Sequence, residues 1–154
     1  RIPGICHDFH LVKEVVRSAL MPYSAAQMFA VVNDVLAYPS FLPWCVGSEI
    51  ITSTNTELVA RLDLARAGVK QSFSTRNKLD APHHMQISLV EGPFSLLEGD
   101  WHFHQLGDDG CKVEMNIRFD FDKHLMNAAL GRVFSAAVDR LVSAFCERAD
   151  ELYG

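Results

Sequence analysis

Four histidines lie close enough in sequence to suggest a metal. His83 and His84 stand in "PHHMQ", and His102 and His104 in "WHFH". An H-x-H pair on one strand puts both imidazoles on the same face, as a transition-metal site would need. Parity, however, groups His102 and His104 with Glu98 and Asp100, opposite Trp101 and Phe103. They belong to the wet face of a sheet, and surface histidines without a metal are the favoured reading. A two-residue turn at Gly92–Pro93 would pair Ile87 with Glu98, so a bulge or longer loop must shift that register. Spacing leaves open whether the four rings meet.

Nucleophilic and phosphate chemistry lack their usual signatures. There is no G-x-S-x-G elbow, phosphate loop, dinucleotide fingerprint or C-x-x-C pair. Cys6, Cys45, Cys111 and Cys146 are scattered, which argues against a zinc site or disulfide frame and for a reducing cytoplasm. No catalytic residue and no cofactor are assigned.

Charge is uneven. Arg61, Arg66, Lys70, Arg76 and Lys78 face only Asp63 in their stretch, whereas 13 acidic and 6 basic residues follow from Asp80 onward. An anionic partner would meet the middle of the chain, or the strip simply solvates a sheet face. The net charge of −5 argues against DNA as a partner.

The stretch "AYPSFLPWC", residues 37–45, holds two prolines and three aromatic rings without a charge. Core, membrane contact and pocket rim are the alternatives. Phe29, Phe73, Trp101, Phe103, Met115, Phe119 and Phe134 are large apolar side chains that would converge between a sheet and a helix. They either fill a core or line an apolar cavity, for which many aromatics, Met and few polar groups are typical.

The elements that must position these residues are legible from periodicity. Residues 10–20 are β-branched enough for a first strand. Ser24 and Gln27 then spell a capping box, with Met28, Phe29, Val32 and Val35 on one helical face. Pro39 opens a second, very short helix and Pro43 stops it. From about residue 46 the period becomes two. "KVEMNIRFDFD" is the clearest case, with Val113, Met115, Ile117, Phe119 and Phe121 on one face. Asn55, Gly68, "DAPH", "EGP" and "GDDG" mark the turns. Helical spacing returns from about Lys123 to Leu152, and Gly131 could mark a bend or break.

These elements predict an α+β domain over residues 10–154, preceded by an N-terminal extension of residues 1–9. About six antiparallel strands follow the first strand and its two short helices. The curved sheet wraps around a long C-terminal helix, leaving room for a cavity. No apolar run reaches the ~20 residues of a membrane span, and the start does not read as a secretory signal.

"MPYSAAQMFAVVNDVLAYPSFLPWC", "GPFSLLEGDWHF" and "GRVFSAAVDRLVSAFCERADELYG" resemble the bacterial branch of the coenzyme Q-binding protein family. Its members are also called ribosome association toxins or oligoketide cyclase/lipid transport proteins, within the START-like superfamily. The resemblance runs from about Leu11 to Gly154. It implies a helix-grip fold and a non-catalytic protein that binds ubiquinone or another isoprenoid lipid in support of respiration. The alternative it implies is a toxin that binds the large ribosomal subunit and blocks subunit joining, with a cyclase-type enzyme third. It places Tyr38, Phe41, Leu42 and Trp44 at the cavity rim, with Phe94 nearby. Met85, Ile117 and Val138 complete the candidate ligand-binding set. Arg61, Arg66, Lys70, Arg76 and Lys78 form the candidate surface for an anionic partner. A cytoplasmic protein, peripheral to the inner membrane if it touches one, is the matching location.

Overall fold

The computed structural model describes residues 12–122, 124 and 128–154. The extension at 1–9, the start of the domain at 10–11 and Cys6 lie outside the described residues. The chain runs β1 (Lys13–Met21), α1 (Ala25–Asn33), a 3-10 turn (Val35–Ala37) and α2 (Tyr38–Phe41). There follow β2 (Cys45–Ser53), β3 (Glu57–Arg66), β4 (Val69–Asp80), β5 (His84–Glu91), β6 (Phe94–Leu106), β7 (Gly110–Phe121) and α3 (Ala128–Tyr153). The seven strands form one antiparallel sheet in the order β1-β7-β6-β5-β4-β3-β2. Strands β2 to β7 are a simple meander. The first strand, cut off from them by helices, takes the free edge of β7.

Local chemistry explains the elements. Ser24 Oγ accepts from the Gln27 amide, and Gln27 Oε1 accepts from the Ser24 amide, so two otherwise orphaned donors are satisfied. The Ala25 amide donates to Gln105 Oε1 at 2.8 Å, tying the start of α1 to the far end of β6. Pro39 stands in the first turn of α2, where its missing N–H costs nothing. All five sequence turn signals fall between strands. In the β3–β4 hairpin Arg66 pairs with Val69, leaving Ala67 and Gly68 as the loop, with φ of 53° and 81°. Two positive φ values suit the right-handed twist of a hairpin, and this tight turn aims Arg66.

Helix α3, 26 residues long, extends ~39 Å and lies across the concave face. It is continuous through Gly131, so the break that glycine suggested is absent; a methyl there would meet only Phe121 Cε2, at 4.0 Å. Val113, Met115, Ile117 and Phe119 of β7 are buried against the helical layer, with Val133, Phe134, Ala137, Val138, Val142 and Phe145 opposite.

Candidate functional site

Aromatic packing occupies most of the space between sheet and helix. Phe134 meets Phe94, Phe119, Phe121 and Phe73 at ring-centre distances from 4.8 to 5.9 Å. Phe29 packs edge-on against Phe103, which in turn stacks on Trp101. What remains is an inner chamber of about 90 Å³ and an outer groove of about 320 Å³. Trp44, Ala137 and Leu141 border both spaces.

Of the candidate ligand-binding residues, Tyr38, Trp44, Phe73, Trp101, Ile117, Phe134 and Val138 line the chamber. Leu42 and Trp44 line the groove. Phe29, Phe41, Met85, Phe94, Phe103, Met115 and Phe119 border neither space and pack elsewhere. Spacing could not separate Phe73, Trp101 and Ile117 from Met85, Phe103, Met115 and Phe119, because both sets obey the same inward parity. Phe145 and the buried polar residues Thr75 and Asn77, all on the chamber wall, escaped the sequence reading. "STRN" offered a signal for the last two. Its Thr and Asn share the inward parity of Phe73, and a polar pair on an apolar face is unusual.

Thr75 and Asn77 are the chamber's polar spot. The Thr75 hydroxyl donates to Asn77 Oδ1 at 3.1 Å, and the Asn77 amide nitrogen makes no hydrogen bond to a described residue. Tyr38, also on the wall, donates its hydroxyl to the Val32 carbonyl, and burial raises its pKa above the ordinary tyrosine value. No histidine, carboxylate or lysine lines the chamber among the described residues. Burial likewise raises the Cys45 and Cys111 thiols, and pushes Cys146 up to about 11. The described chamber wall therefore offers hydrogen bonding and apolar contact.

The segment "AYPSFLPWC" is divided: Pro39, Ser40 and Pro43 are exposed, and Leu42, Pro43 and Trp44 border the groove. Tyr38, Leu42, Trp44 and Cys45 are buried, and Tyr38 packs on Phe145 at 5.3 Å. Half-buried Phe41 carries the Arg148 guanidinium 5.2 Å from its ring centre.

The basic strip does not form one surface. Pairing of β3 with β4 sets Arg61, Lys70, Arg76 and Lys78 on the wet face, whereas Arg66 shares the inward parity of Leu64 and Val69. Arg61 is engaged by Glu49 at 2.6 Å and Asp63 at 3.0 Å, and Arg76 by Glu57 at 3.4 Å. Hydrogen bonds from Arg61 and Ser72 hold the Asp63 carboxyl below the usual range. Lys70 and Lys78 are exposed and have no carboxylate partner among the described residues.

The histidines are brought partly together. Ser88 pairs with Glu98 and Ile87 with Gly99, the one-residue register shift the apolar pattern demanded. His84 and His102 become direct cross-strand partners with rings stacked 4.4 Å apart, and His84 Nε2 lies 2.6 Å from Asp100 Oδ1. The ligand atoms of His84, Asp100 and His102 lie within 4.8 Å of one another, a donor set that would suit a borderline metal ion. His104 instead bonds Glu114 at 2.6 Å and helps hold that carboxyl below its ordinary pKa. These partly exposed pairs also serve as ordinary cross-strand contacts.

Comparison with known proteins places this architecture. The model of a family described as polyketide cyclase/dehydrase and lipid transport matches residues 21–146. The chain is 43% identical over 143 residues to the persistence and stress-resistance toxin PasT of Escherichia coli O6:H1, covering 93% of this chain and 90% of that one. It is 42% identical, with the same coverage, to the ribosome association toxin RatA of Escherichia coli K12. A more distant relative, the mitochondrial coenzyme Q-binding protein COQ10 homolog B of Xenopus laevis, is 27% identical over 92% of this chain and 59% of its own length. The fold is that of the Streptomyces Zhui aromatase/cyclase, with a TM-score of 0.76 at 18% identity over 90% of this chain and 94% of that one. The chain belongs to the polyketide cyclase/dehydrase and lipid transport family.

Proposed function

We propose that this member of the polyketide cyclase/dehydrase and lipid transport family is a ribosome association toxin that binds the large ribosomal subunit and hinders subunit joining. The observation that carries this reading is the 42% identity to a ribosome association toxin, along 93% of the chain. The interior supports it. The chamber of about 90 Å³ is smaller than the ~150 Å³ apolar cavity that takes up benzene, so a quinone ring enters only if the chamber widens. On the wet face, Lys70 and Lys78 are the strip's cations free to meet phosphate. Each phosphate neutralised would release counterions and make binding weaken with salt.

Sedimentation of a lysate through a sucrose gradient tests this. At low salt the protein should migrate with the large subunit, and excess protein should lower the joined-ribosome peak in favour of free subunits. Lys70→Glu with Lys78→Glu should release it and flatten the salt dependence of binding. A wild-type protein that stays at the top of the gradient at low salt would refute the reading.

A second reading, carriage of a hydrophobic ligand such as ubiquinone, is favoured by the Thr75–Asn77 pair. An oxygen-bearing head group that widens the chamber past Trp44 would meet the Asn77 amide, with its tail left in the groove. Protein purified without detergent from a quinone-containing bacterium should then yield ubiquinone to organic extraction and mass spectrometry. Asn77→Leu should lose it. Wild-type extracts without quinone, from a protein that also refuses added quinone, would remove this reading.

A further inference from the structure

The outer groove has a charge pattern unlike the rest of the molecule. Among the described residues, Arg17, Arg61, Arg76, Arg118 and Arg148 each have a carboxylate partner. The three arginines without one are Arg66, Arg132 and Arg140, and all three line this groove. Arg66 comes from the β3–β4 hairpin on one wall; Arg132 and Arg140 come from α3 on the other. Like charges around one cleft repel each other, and an anion placed among them removes that cost.

Between the arginines the walls are apolar. Ala136, Ala137 and Ala144 give α3 a shallow face, and Leu42 and Trp44 stand opposite. Arg132 and Arg140 are eight residues apart, ~12 Å along the helix, so the groove is elongated. Its volume of about 320 Å³ holds roughly ten groups of the ~30 Å³ that a water takes in the liquid. That suits one alkyl chain and not the two of a phospholipid. A ribose–phosphate backbone could answer the arginines but would lay its polar sugars on the alanine face.

We propose that this groove binds a single-chain fatty carboxylate, its chain along the alanine face of α3 and its head held by Arg66 together with a helical arginine. Guanidinium and carboxylate match as planar, doubly hydrogen-bonding partners, and the chain gains ~25 cal/mol for each Å² of apolar surface it hides. Trp44 forms part of the wall and would report the chain's arrival. The inference narrows the hydrophobic-ligand reading to a chemical class and does not depend on ribosome association.

Calorimetric titration with dodecanoate and with dodecanol, its neutral counterpart, tests this, with Trp44 fluorescence followed in a Trp101→Phe variant. Dodecanoate should bind about tenfold more tightly than dodecanol, shift the Trp44 emission and weaken with added salt. Arg66→Gln combined with Arg132→Gln and Arg140→Gln, all at exposed positions, should bring dodecanoate down to the level of dodecanol and leave dodecanol unchanged. Equal affinity of the two in the wild-type protein would overturn the charged site while sparing a neutral-ligand reading. Binding of neither, or arginine-dependent binding of oligouridylate that dodecanoate does not displace, would also overturn it and leave the sedimentation result to stand alone.

Discussion

Phe134→Ala should cost about 3–5 kcal/mol of stability, the largest loss expected from a single side chain here. Phe134 is 5% exposed and is the one ring that touches Phe73, Phe94, Phe119 and Phe121 together. It also joins α3 to strands β4, β6 and β7, so its removal deprives both layers of contacts. Neighbouring rings cannot collapse into the space without losing their own edge-on packing. A domain holds ~5–15 kcal/mol in total, so the variant should remain folded but shift its urea midpoint strongly. The truncation also enlarges the chamber, and a small apolar ligand such as toluene should raise the melting temperature of the variant and not of the wild type. A loss below ~1 kcal/mol would mean that the rings rearrange and that the interior is less tightly packed than described.

The second large effect is expected at Gly99. Gly99 lies opposite Ile117 on β7 and Ile87 on β5, in the middle of the sheet. A Cβ there would stand 2.5 Å from the Asn116 carbonyl oxygen and 3.1 Å from Ile117 Cα, both backbone atoms. No rotamer change relieves such a contact, so Gly99→Ala must push β6 away from β7 at a cost of roughly 1–3 kcal/mol or more. Because Ile87 and Ile117 line the chamber, the strain should also alter ligand access. Gly131→Ala is the matched control. Space is open there and the site lies near the start of α3, so stability should rise by up to about 1 kcal/mol. Urea unfolding of the two variants side by side decides the matter. Equal stabilities would show that the β6–β7 ladder yields without cost.

Several features were legible because they depend only on neighbours along the chain. The capping box at Ser24 and Gln27, the proline-bounded turn at Tyr38–Phe41 and the inward row from Val113 to Phe121 each follow from local geometry. So does the antiparallel order, since every link from β2 to β7 is a short turn. One of the motifs that suggested the family spans the capping box and the proline-bounded turn, the others lie in β6 and α3, and the family proved right. Gly131 misled as the sign of a break because a glycine weakens a helix locally, while burial of the α3 stripe keeps the helix continuous.

What the chain order could not contain is whatever depends on how layers dock. Strand parity, helical spacing and the family resemblance together marked fifteen candidate side chains. Whether a ring fills the core, as Phe103 does, or borders a space, as Phe73 does, depends on where α3 lies over the sheet. The basic strip looked continuous, but the Ala67–Gly68 turn leaves Arg66 with Leu64 on the inner face and Lys70 on the outer one. His84 and His102 meet only because one extra residue near Gly92 slips the register of β5 on β6. Arg132 and Arg140 carried no signal by themselves, being two cations on a helix full of charges. Their role is decided by the rotation of α3, which buries Val133 and Ala137 and thereby turns the two arginines toward Arg66 across an apolar groove. Local sequence thus determined the elements and their order. The packing angle between helix and sheet, a property of all contacts at once, decided where a ligand or partner can reach.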